Sequence, residues 1–225
     1  MLFLVLGKGK TGSLVAQVAR ERGHGVRALD VTENLHASAL TAPSLAGVDV
    51  VIDFTTAEAA LENIRAVLAL GGRMVVGTTG WYAHLNDMKA LAIRRGGALL
   101  YGTNFSIGVQ KLFRLTGELA KLDGYQFSIS ETHHESKLDA PSGTAITLRE
   151  IVEAARPGTH VEVTSYRVGD AKGEHTVNAT GPDDLIELRH NAHSRRGFAL
   201  GAVRAAEWLA NNSGAHDFRD IFDRL

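Results

Sequence analysis

A glycine-rich turn between an apolar run and a helical pattern is the feature that most restricts how this chain can fold. The run Leu2 to Leu6 has the length of a buried strand, and helical spacing of apolar residues starts at Leu14. The turn between them reads G-x-G-x-x-G. In the order strand, turn, helix, this pattern is typical of dinucleotide-binding units, because its glycines permit the turn, the approach of a pyrophosphate and close helix packing. The residues predicted to bind a dinucleotide are Gly7, Lys8, Gly9, Lys10, Thr11 and Gly12.

An acidic residue stands at the distance that such a site requires. Asp30 lies near the end of the next apolar segment, residues 25–31, which is predicted as the second strand. It follows Gly7 by a little over twenty residues, where an acidic side chain binds a ribose hydroxyl. The alternative is a glycine-rich turn without a ligand, but the surrounding strand, helix and acid favour dinucleotide binding.

Strands and helices alternate through the following part of the chain. Residues 32–46 show little periodicity, which indicates a loop or a poor helix. After them the pattern predicts strands at 48–54, 73–76 and 98–101 and helices at 57–70 and 85–95. This alternation predicts an α/β fold with a doubly wound parallel sheet of the Rossmann type.

Small and polar residues follow each of these predicted strands. Open α/β sheets bind ligands at the carboxyl ends of their strands, so we expect Thr78, Thr79 and Asn104 to line a nicotinamide pocket. The alternative is that each is an ordinary turn or cap residue. The other cofactor-binding residues predicted at these strand ends are Phe54, Gly77, Gly102, Thr103 and Phe105.

The pattern changes after Ser106. A helix at 109–122, a strand at 125–130 and a helix ending near Ala155 are followed by strand candidates at 161–167, 174–180 and 185–190. Consecutive strands without intervening helices predict a second, α+β domain with a mixed or antiparallel sheet. Residues 197–211 and 217–225 are predicted as the last two helices.

The stretch Glu131 to Ala145 concentrates groups that can move protons and bind anions. His133 and His134 titrate near neutral pH, and Lys137 can donate a proton or pair with a carboxylate, so any of the three could serve in acid or base catalysis. Adjacent histidines at a strand end are also common as plain surface residues.

An apolar helical pattern begins directly after Pro141. Ser142 is placed near its N-cap, and the backbone of Gly143 and Thr144 could hold a carboxylate or phosphate, because a helix start exposes unpaired N–H groups and a positive dipole end. The same residues also make a helix start without any ligand. Their closeness to the histidines and the lysine favours an anion site.

Composition narrows the class of protein. The chain has 225 residues, a net charge of -1 and no cysteine, so no basic excess suggests nucleic acid and no thiolate metal site can form. No metal site is predicted, since the histidines lack an H-E-x-x-H or similar spacing. The first apolar run is too short for a signal peptide or membrane span, and a cytoplasmic protein is expected.

The fifteen residues Glu131-Thr-His-His-Glu-Ser-Lys-Leu-Asp-Ala-Pro-Ser-Gly-Thr-Ala145 closely resemble the signature of the 4-hydroxy-tetrahydrodipicolinate reductase (dihydrodipicolinate reductase) family. The resemblance extends over nearly the whole chain. Its other landmarks are residues 7–12, 53–55, 77–80, 104–108, 167 with 169, 173–176 and 194–201.

This resemblance implies an enzyme of the diaminopimelate route to lysine. It would reduce 4-hydroxy-tetrahydrodipicolinate to tetrahydrodipicolinate with NADH or NADPH: the substrate loses water, hydride passes to C4 of the unsaturated ring, and the enamine is protonated. By position in the motif, His133 resembles the general acid or base and Lys137 the proton donor. The implied substrate-binding residues are His134, Ser142, Gly143 and Thr144.

The resemblance also implies a domain division and an assembly. Residues 1–104 and 205–225 would form the dinucleotide-binding domain, and residues 105–204 the substrate-binding and oligomerisation domain. Members are usually homotetramers that act on a small dicarboxylate, with no nucleic-acid or membrane partner.

Two departures from the family pattern bear on the nucleotide. Val31 follows Asp30 where many members carry an arginine that meets the 2′-phosphate of NADPH, and Lys10-Thr11 replaces Arg-Met. We therefore expect NADH, with dual use open because Lys8 and Lys10 can attract a phosphate. Two rival hypotheses are a related dehydrogenase of amino-acid metabolism and a dinucleotide-sensing module without catalysis. The second rival leaves the His-His and Lys cluster without a purpose.

Overall fold

A computed structural model describes residues 1–225 and divides the chain into two compact units. Unit 1 comprises Met1–Ser106 and Arg196–Leu225, and unit 2 comprises Ile107–Arg195. The resemblance placed the return to the first domain at residue 205, whereas unit 1 takes in the whole helix that begins at Arg196. That helix buries one continuous face within unit 1, so it belongs to a single core from its start.

Unit 1 is built on a six-stranded sheet whose strands are all parallel, which confirms the predicted fold class. The strand order is β10-β5-β4-β3-β1-β2. The central strands are apolar and buried on both faces, as parallel strands covered by helices must be. The strands are β1 (Leu2–Leu6), β2 (Gly25–Leu29), β3 (Val50–Asp53), β4 (Arg73–Val76), β5 (Ala98–Tyr101) and, after the chain returns from unit 2, β10 (Gly214–Asp217).

Helices cover both faces of this sheet. The long helices are α1 (Lys10–Glu21), α3 (Ala57–Ala69), α4 (Leu85–Arg95) and α7 (Arg196–Leu209). Helices α1 and α7 pack together, and α3 and α4 form the second packed pair. The weakly periodic second crossover contains a short 3-10 helix, Leu35–Ala37, and α2 (Ala42–Leu45). The chain ends in α8 (Phe218–Ile221) and a 3-10 turn.

Strand β10 was missed by the sequence pattern. It has four half-buried residues and pairs only with β5, at the edge of the sheet. An edge strand of this length carries neither an apolar run nor a clear alternation, so local periodicity does not reveal it.

Unit 2 contains a four-stranded mixed sheet in the order β7-β6-β8-β9, as the run of predicted strands indicated. Strand β6 pairs in parallel with β7 and antiparallel with β8, and β8 pairs antiparallel with β9. One face of the sheet packs against the two helices in an apolar core. The elements are α5 (Ile107–Leu119), β6 (Gln126–His133), α6 (Gly143–Ala155), β7 (Glu162–Arg167), β8 (Glu174–Thr180) and β9 (Leu185–Asn191).

No helix in either unit is long and apolar enough to cross a bilayer.

Candidate active site

The glycine turn of unit 1 has the backbone that its sequence demands. Gly7 has φ +94°, and a Cβ at this position would lie 2.3 Å from the carbonyl oxygen of Phe54. A Cβ on Gly12 would lie 1.9 Å from the carbonyl oxygen of Gly7, so only glycine lets α1 approach this closely. Gly9 is the N-cap of α1, has no capping side chain and faces open space. The start of α1 is therefore open to an anionic group such as a pyrophosphate.

A cavity of about 550 Å³ lies beside this turn. Gly7, Lys8 and Gly9 form one wall, and Asp30 and Phe54 line it as well. Its size and its position at the carboxyl ends of β1, β2 and β3 suit the adenosine half of a dinucleotide. Lys10, Thr11 and Gly12 form the first turn of α1 and do not line this cavity.

The remaining predicted nucleotide residues follow β4 and β5 at the same sheet edge, outside the cavity. The ring of Phe54 covers Gly77, where a Cβ would lie 2.2 Å from a ring carbon, and it meets the ring of Phe105 edge-on. Asn104 accepts a hydrogen bond from the Ser106 amide. Gly102 is buried, and Thr79 and Thr103 are exposed.

A buried polar network joins the loops that follow β2, β3 and β4. The fully buried carboxylate of Asp53 accepts hydrogen bonds from Thr55, Asn63 and Thr78, at 2.7 to 2.9 Å. Asn63 in turn accepts a hydrogen bond from Asn34 in the cavity wall. Burial raises the pKa of Asp53, and its hydrogen-bond donors oppose that rise. Thr78 is therefore held by a network within the protein, a contact that the sequence did not reveal.

In unit 2, Glu131 is the centre of the candidate acid–base group. Its carboxylate is fully buried, and Oε2 accepts a hydrogen bond from Nδ1 of His133. The other oxygen, Oε1, accepts hydrogen bonds from Arg167 Nη2 at 3.0 Å and from the Ser142 amide at 3.3 Å. Burial raises the pKa of Glu131, but the hydrogen bonds from Arg167 and His133 outweigh it and bring the pKa to about 2. Glu131 is thus an ionised carboxylate that links the end of β6 to the start of α6.

His133 is the last residue of β6, and its side chain is only 12% exposed. Burial lowers its pKa below the ordinary value, and the hydrogen bond to Glu131 offsets this only in part. Gly173 lies against the ring, since a Cβ there would be 3.0 Å from Nε2. With Nδ1 held by Glu131, Nε2 is the nitrogen left for exchanging a proton with a substrate.

His175 was noticed in the sequence only as part of the family pattern and was given no role, and it lies directly beside this pair. It faces Glu131 across the β6–β8 ladder, and its ring meets that of His133 edge-on with centroids 5.1 Å apart. Its Nε2 lies 3.1 Å from Ser142 Oγ, while its buried Nδ1 has no partner. Burial lowers the pKa of His175 to about 3, so the ring is neutral at physiological pH.

Lys137 lies in the loop between β6 and α6. Its ammonium donates to both carboxylate oxygens of Asp139, at 2.7 and 2.8 Å. Arg167 donates to the carbonyl oxygens of Lys137 and Asp139 as well as to Glu131, so one guanidinium ties this loop to the acid–base group. Arg167 was noticed in the sequence only as part of the family pattern.

The predicted helix start at Ser142 is confirmed. Its Oγ accepts a hydrogen bond from the Ala145 amide, and α6 begins at Gly143. Gly143 is exposed with open space above its Cα, and Thr144 follows it in the first turn. His134 is half-buried, with Nδ1 2.8 Å from Ser136 Oγ. The structure therefore joins His133 and Ser142 through Glu131, whereas His134 and Lys137 belong to the adjoining loop.

The carboxylate of Glu131 and the imidazoles of His133 and His175 also form a buried set with ligand atoms within 4.8 Å of one another. The sequence predicted no metal site because its histidines lack an H-E-x-x-H or similar spacing, and these three residues come together only through the pairing of β6 with β8. The guanidinium of Arg167 already supplies positive charge to this carboxylate, and His133 donates to it. These contacts account for the cluster as a hydrogen-bonded acid–base group.

A parallel sheet with a glycine turn is typical of dinucleotide-binding domains, and a buried carboxylate–imidazole pair at a helix start suits acid–base catalysis, so the two units together indicate a nucleotide-dependent oxidoreductase. Family models describe which one: residues 2–105 match the N-terminal part of dihydrodipicolinate reductase, and residues 108–222 match its C-terminal part. The chain belongs to the dihydrodipicolinate reductase family, as its sequence pattern indicated.

Curated relatives match this chain over nearly its full length. A 4-hydroxy-tetrahydrodipicolinate reductase of Natronomonas pharaonis is 38% identical, with 94% of this chain and 96% of the relative covered. The enzyme of the same name from Christiangramia forsetii is 34% identical, with 100% of this chain and 99% of the relative covered. A solved dipicolinate-bound dihydrodipicolinate reductase from Paenisporosarcina sp. TG-14 has a TM-score of 0.82 at 23% identity, covering 98% and 99%, and it supports the fold.

Proposed function

We propose that this protein reduces 4-hydroxy-tetrahydrodipicolinate to tetrahydrodipicolinate with a reduced nicotinamide nucleotide, in the diaminopimelate route to lysine. One observation carries this proposal: the buried Glu131–His133 pair is joined to the N-terminus of α6 within the stretch that resembles the family signature. Both family models and the curated relatives that bear this enzyme name support it.

In this proposal unit 1 is the dinucleotide-binding domain and unit 2 binds the substrate. The uncapped start of α1, the open space at Gly9 and the cavity beside Asp30 fit the pyrophosphate and the adenosine ribose. The bound nicotinamide supplies the hydride. Phe54 lines the cavity and packs against Gly77 and Phe105, which lie outside it at the same sheet edge, and this position supports their predicted role near the nicotinamide.

The start of α6 would hold a carboxylate of the substrate. Its dipole presents positive charge, and the exposed glycine at its first position lets an anion approach the backbone. Gly143 and Thr144 would supply backbone contacts, and Ser142 fixes the turn through its cap. His134 and Lys137, in the adjoining loop, would add polar and cationic contacts.

His133 and Lys137 would handle the protons of the reaction. Glu131 holds Nδ1 of His133, so Nε2 can accept or return a proton at the substrate. A bound dicarboxylate adds negative charge near this imidazole, which raises its pKa and favours the protonated form needed for donation. The ammonium of Lys137 would be the donor to the reduced ring, released from Asp139 when the substrate binds.

We further propose that NADH is preferred and that the enzyme assembles as a homotetramer through unit 2. Asp30 lines the cavity without an adjacent arginine, and this supports NADH. The sheet face opposite α5 and α6 is open, and it supports assembly because a partner could cover it. Its exposed side chains include Gln126, Ser128, Thr164, Tyr166 and Arg189.

The test uses freshly prepared 4-hydroxy-tetrahydrodipicolinate with NADH or NADPH, and follows nucleotide oxidation by absorbance. The His133→Gln variant should fold and bind nucleotide normally while its turnover falls about 10²–10⁴-fold, as expected for a lost general acid or base. The exposed His160 in the same unit serves as the control, and His160→Gln should keep normal turnover. No oxidation of either nucleotide by the unmodified protein would reject the function and favour a related dehydrogenase. Normal turnover of His133→Gln would reject the proposed role of His133 but not the proposed function.

A further inference from the structure

Three charged side chains meet where β2 ends beside the glycine turn. Lys8 Nζ lies 2.5 Å from Glu33 Oε2, and the same oxygen accepts a hydrogen bond from the Asp30 amide at 2.9 Å. Asp30 in turn uses Oδ1 to accept hydrogen bonds from the amide and hydroxyl of Thr32. Glu33 therefore bridges the end of β2 to the glycine turn and occupies the lysine.

The charges around this cavity are predominantly acidic. Asp30, Glu58 and Glu62 line it, and Glu33 forms an ion pair with Lys8, which also lines it. The other basic group in the lining, His36, is itself 3.2 Å from Glu62. A ribose hydroxyl can donate to Asp30 in these surroundings, whereas a 2′-phosphate with nearly two negative charges would be repelled and would find Lys8 already paired.

We propose that Glu33 is the residue that determines the nucleotide preference of this protein. Its carboxylate repels a 2′-phosphate and holds Lys8 away from one, so that removing its charge leaves Lys8 able to bind the phosphate of NADPH. This inference rests on the proposed nucleotide site in unit 1. It goes beyond the proposed preference for NADH, because it assigns that preference to one residue that the sequence pattern did not single out.

The geometry separates this role from a role in stability. The Lys8 and Glu33 side chains are 42% and 44% exposed, and exposed ion pairs contribute little to folding. A glutamine at position 33 keeps an oxygen that can accept the hydrogen bond from the Asp30 amide. Glu33→Gln therefore changes the charge at the site while it preserves the local backbone.

The experiment measures dissociation constants of NADH and NADPH by titration calorimetry for the unmodified protein, Glu33→Gln, Lys8→Gln and the double variant. Glu33→Gln should tighten NADPH about tenfold and change NADH by less than about threefold, since one exposed charge is removed near the phosphate. The gain should vanish in the double variant and shrink at high salt. Glu118→Gln is the matched control, because Glu118 forms a similar exposed pair with Lys121 outside this cavity, and it should leave both affinities unchanged.

Two outcomes would overturn the inference. One is an unchanged NADPH affinity in Glu33→Gln while the unmodified protein binds NADH, which would leave the nucleotide site intact and remove Glu33 from selection. The other is a gain that persists without Lys8, which would assign the phosphate contact to another group. Failure of the unmodified protein to bind either nucleotide would instead reject the proposed function, and Glu33 with it.

Discussion

Nδ1 of His133 donates a hydrogen bond to Oε2 of Glu131, two residues earlier on the same strand. The strand period of two places both side chains on the face of the sheet that α6 covers. The other carboxylate oxygen accepts hydrogen bonds from Arg167 and from the Ser142 amide. One buried carboxylate therefore orients the proposed proton-exchanging imidazole and fixes the turn proposed to hold the substrate anion.

Replacing Glu131 by glutamine should lower the pKa of His133 further. The Glu131 carboxylate raises that pKa against the effect of burial, so removing its charge leaves burial and the cations Lys137 and Arg167 unopposed. The limb of the kcat/KM profile that reports His133 should move to lower pH, because kcat/KM reflects the free enzyme. A limb that stays in place while activity falls would assign Glu131 a purely structural role.

Replacing Lys137 by alanine should lower turnover and raise KM together, since the proposed donor and a substrate cation are lost at once. We expect turnover to fall about 10²–10⁴-fold. Lys172→Ala is the matched control, because Lys172 forms a similar exposed pair with Asp170 at 2.8 Å in the loop before β8. Steady-state kinetics that are equally unaffected in both variants would remove Lys137 from the site.

Replacing Ser142 by alanine should cost stability and substrate affinity. The lost cap costs about 0.5–2 kcal/mol, and the unpaired nitrogen left on buried His175 costs about 1–3 kcal/mol more. Thr41→Ala removes the cap of α2 and should lose only the first amount. Urea unfolding and KM measured on both variants separate the two effects. An unchanged KM in Ser142→Ala would show that the turn at α6 does not bind substrate.

His175 should make the fold sensitive to acid. Its pKa is about 3 in the folded protein and near 6.5 when the chain is unfolded, so the unfolded state binds more protons between these values. The stability that a neutral His175 allows is present above about pH 6.5 and is lost as pH falls toward 3, with a slope of up to about 1.4 kcal/mol per pH unit. Denaturant unfolding between about pH 4 and 7 should show that the free energy of unfolding depends less steeply on pH in His175→Gln than in the unmodified protein.

The control for this measurement is His160→Gln, because His160 is 88% exposed. It should retain the slope of the unmodified protein. Equal slopes in His175→Gln and the unmodified protein would mean that the acid sensitivity arises elsewhere. Glu131, whose pKa of about 2 is also low, adds a further loss as pH falls toward and below about 4.5, and the comparison between variants separates it because Glu131 is present in each of them.

Local pattern determined most of unit 1 and the location of the candidate site. The glycine turn, the apolar strands and the helical spacing each depend on neighbours in the chain, so their periods predicted a doubly wound sheet and the structure confirms it. The same holds for the α6 start at Ser142. Strand β10 escaped because four half-buried residues at a sheet edge leave no such period.

Tertiary structure decided which side chains act together. His175 reaches Glu131 only through the register of β6 with β8, Arg167 through that of β6 with β7, and Glu33 reaches Lys8 across the gap between two strand ends. Such pairings depend on how distant segments dock, and burial then sets the charge states of the groups they bring together. The sequence by itself pointed to residues 131–145 for the proposed proton chemistry, and the folded protein decided that a buried glutamate holds His133 and the start of α6 together.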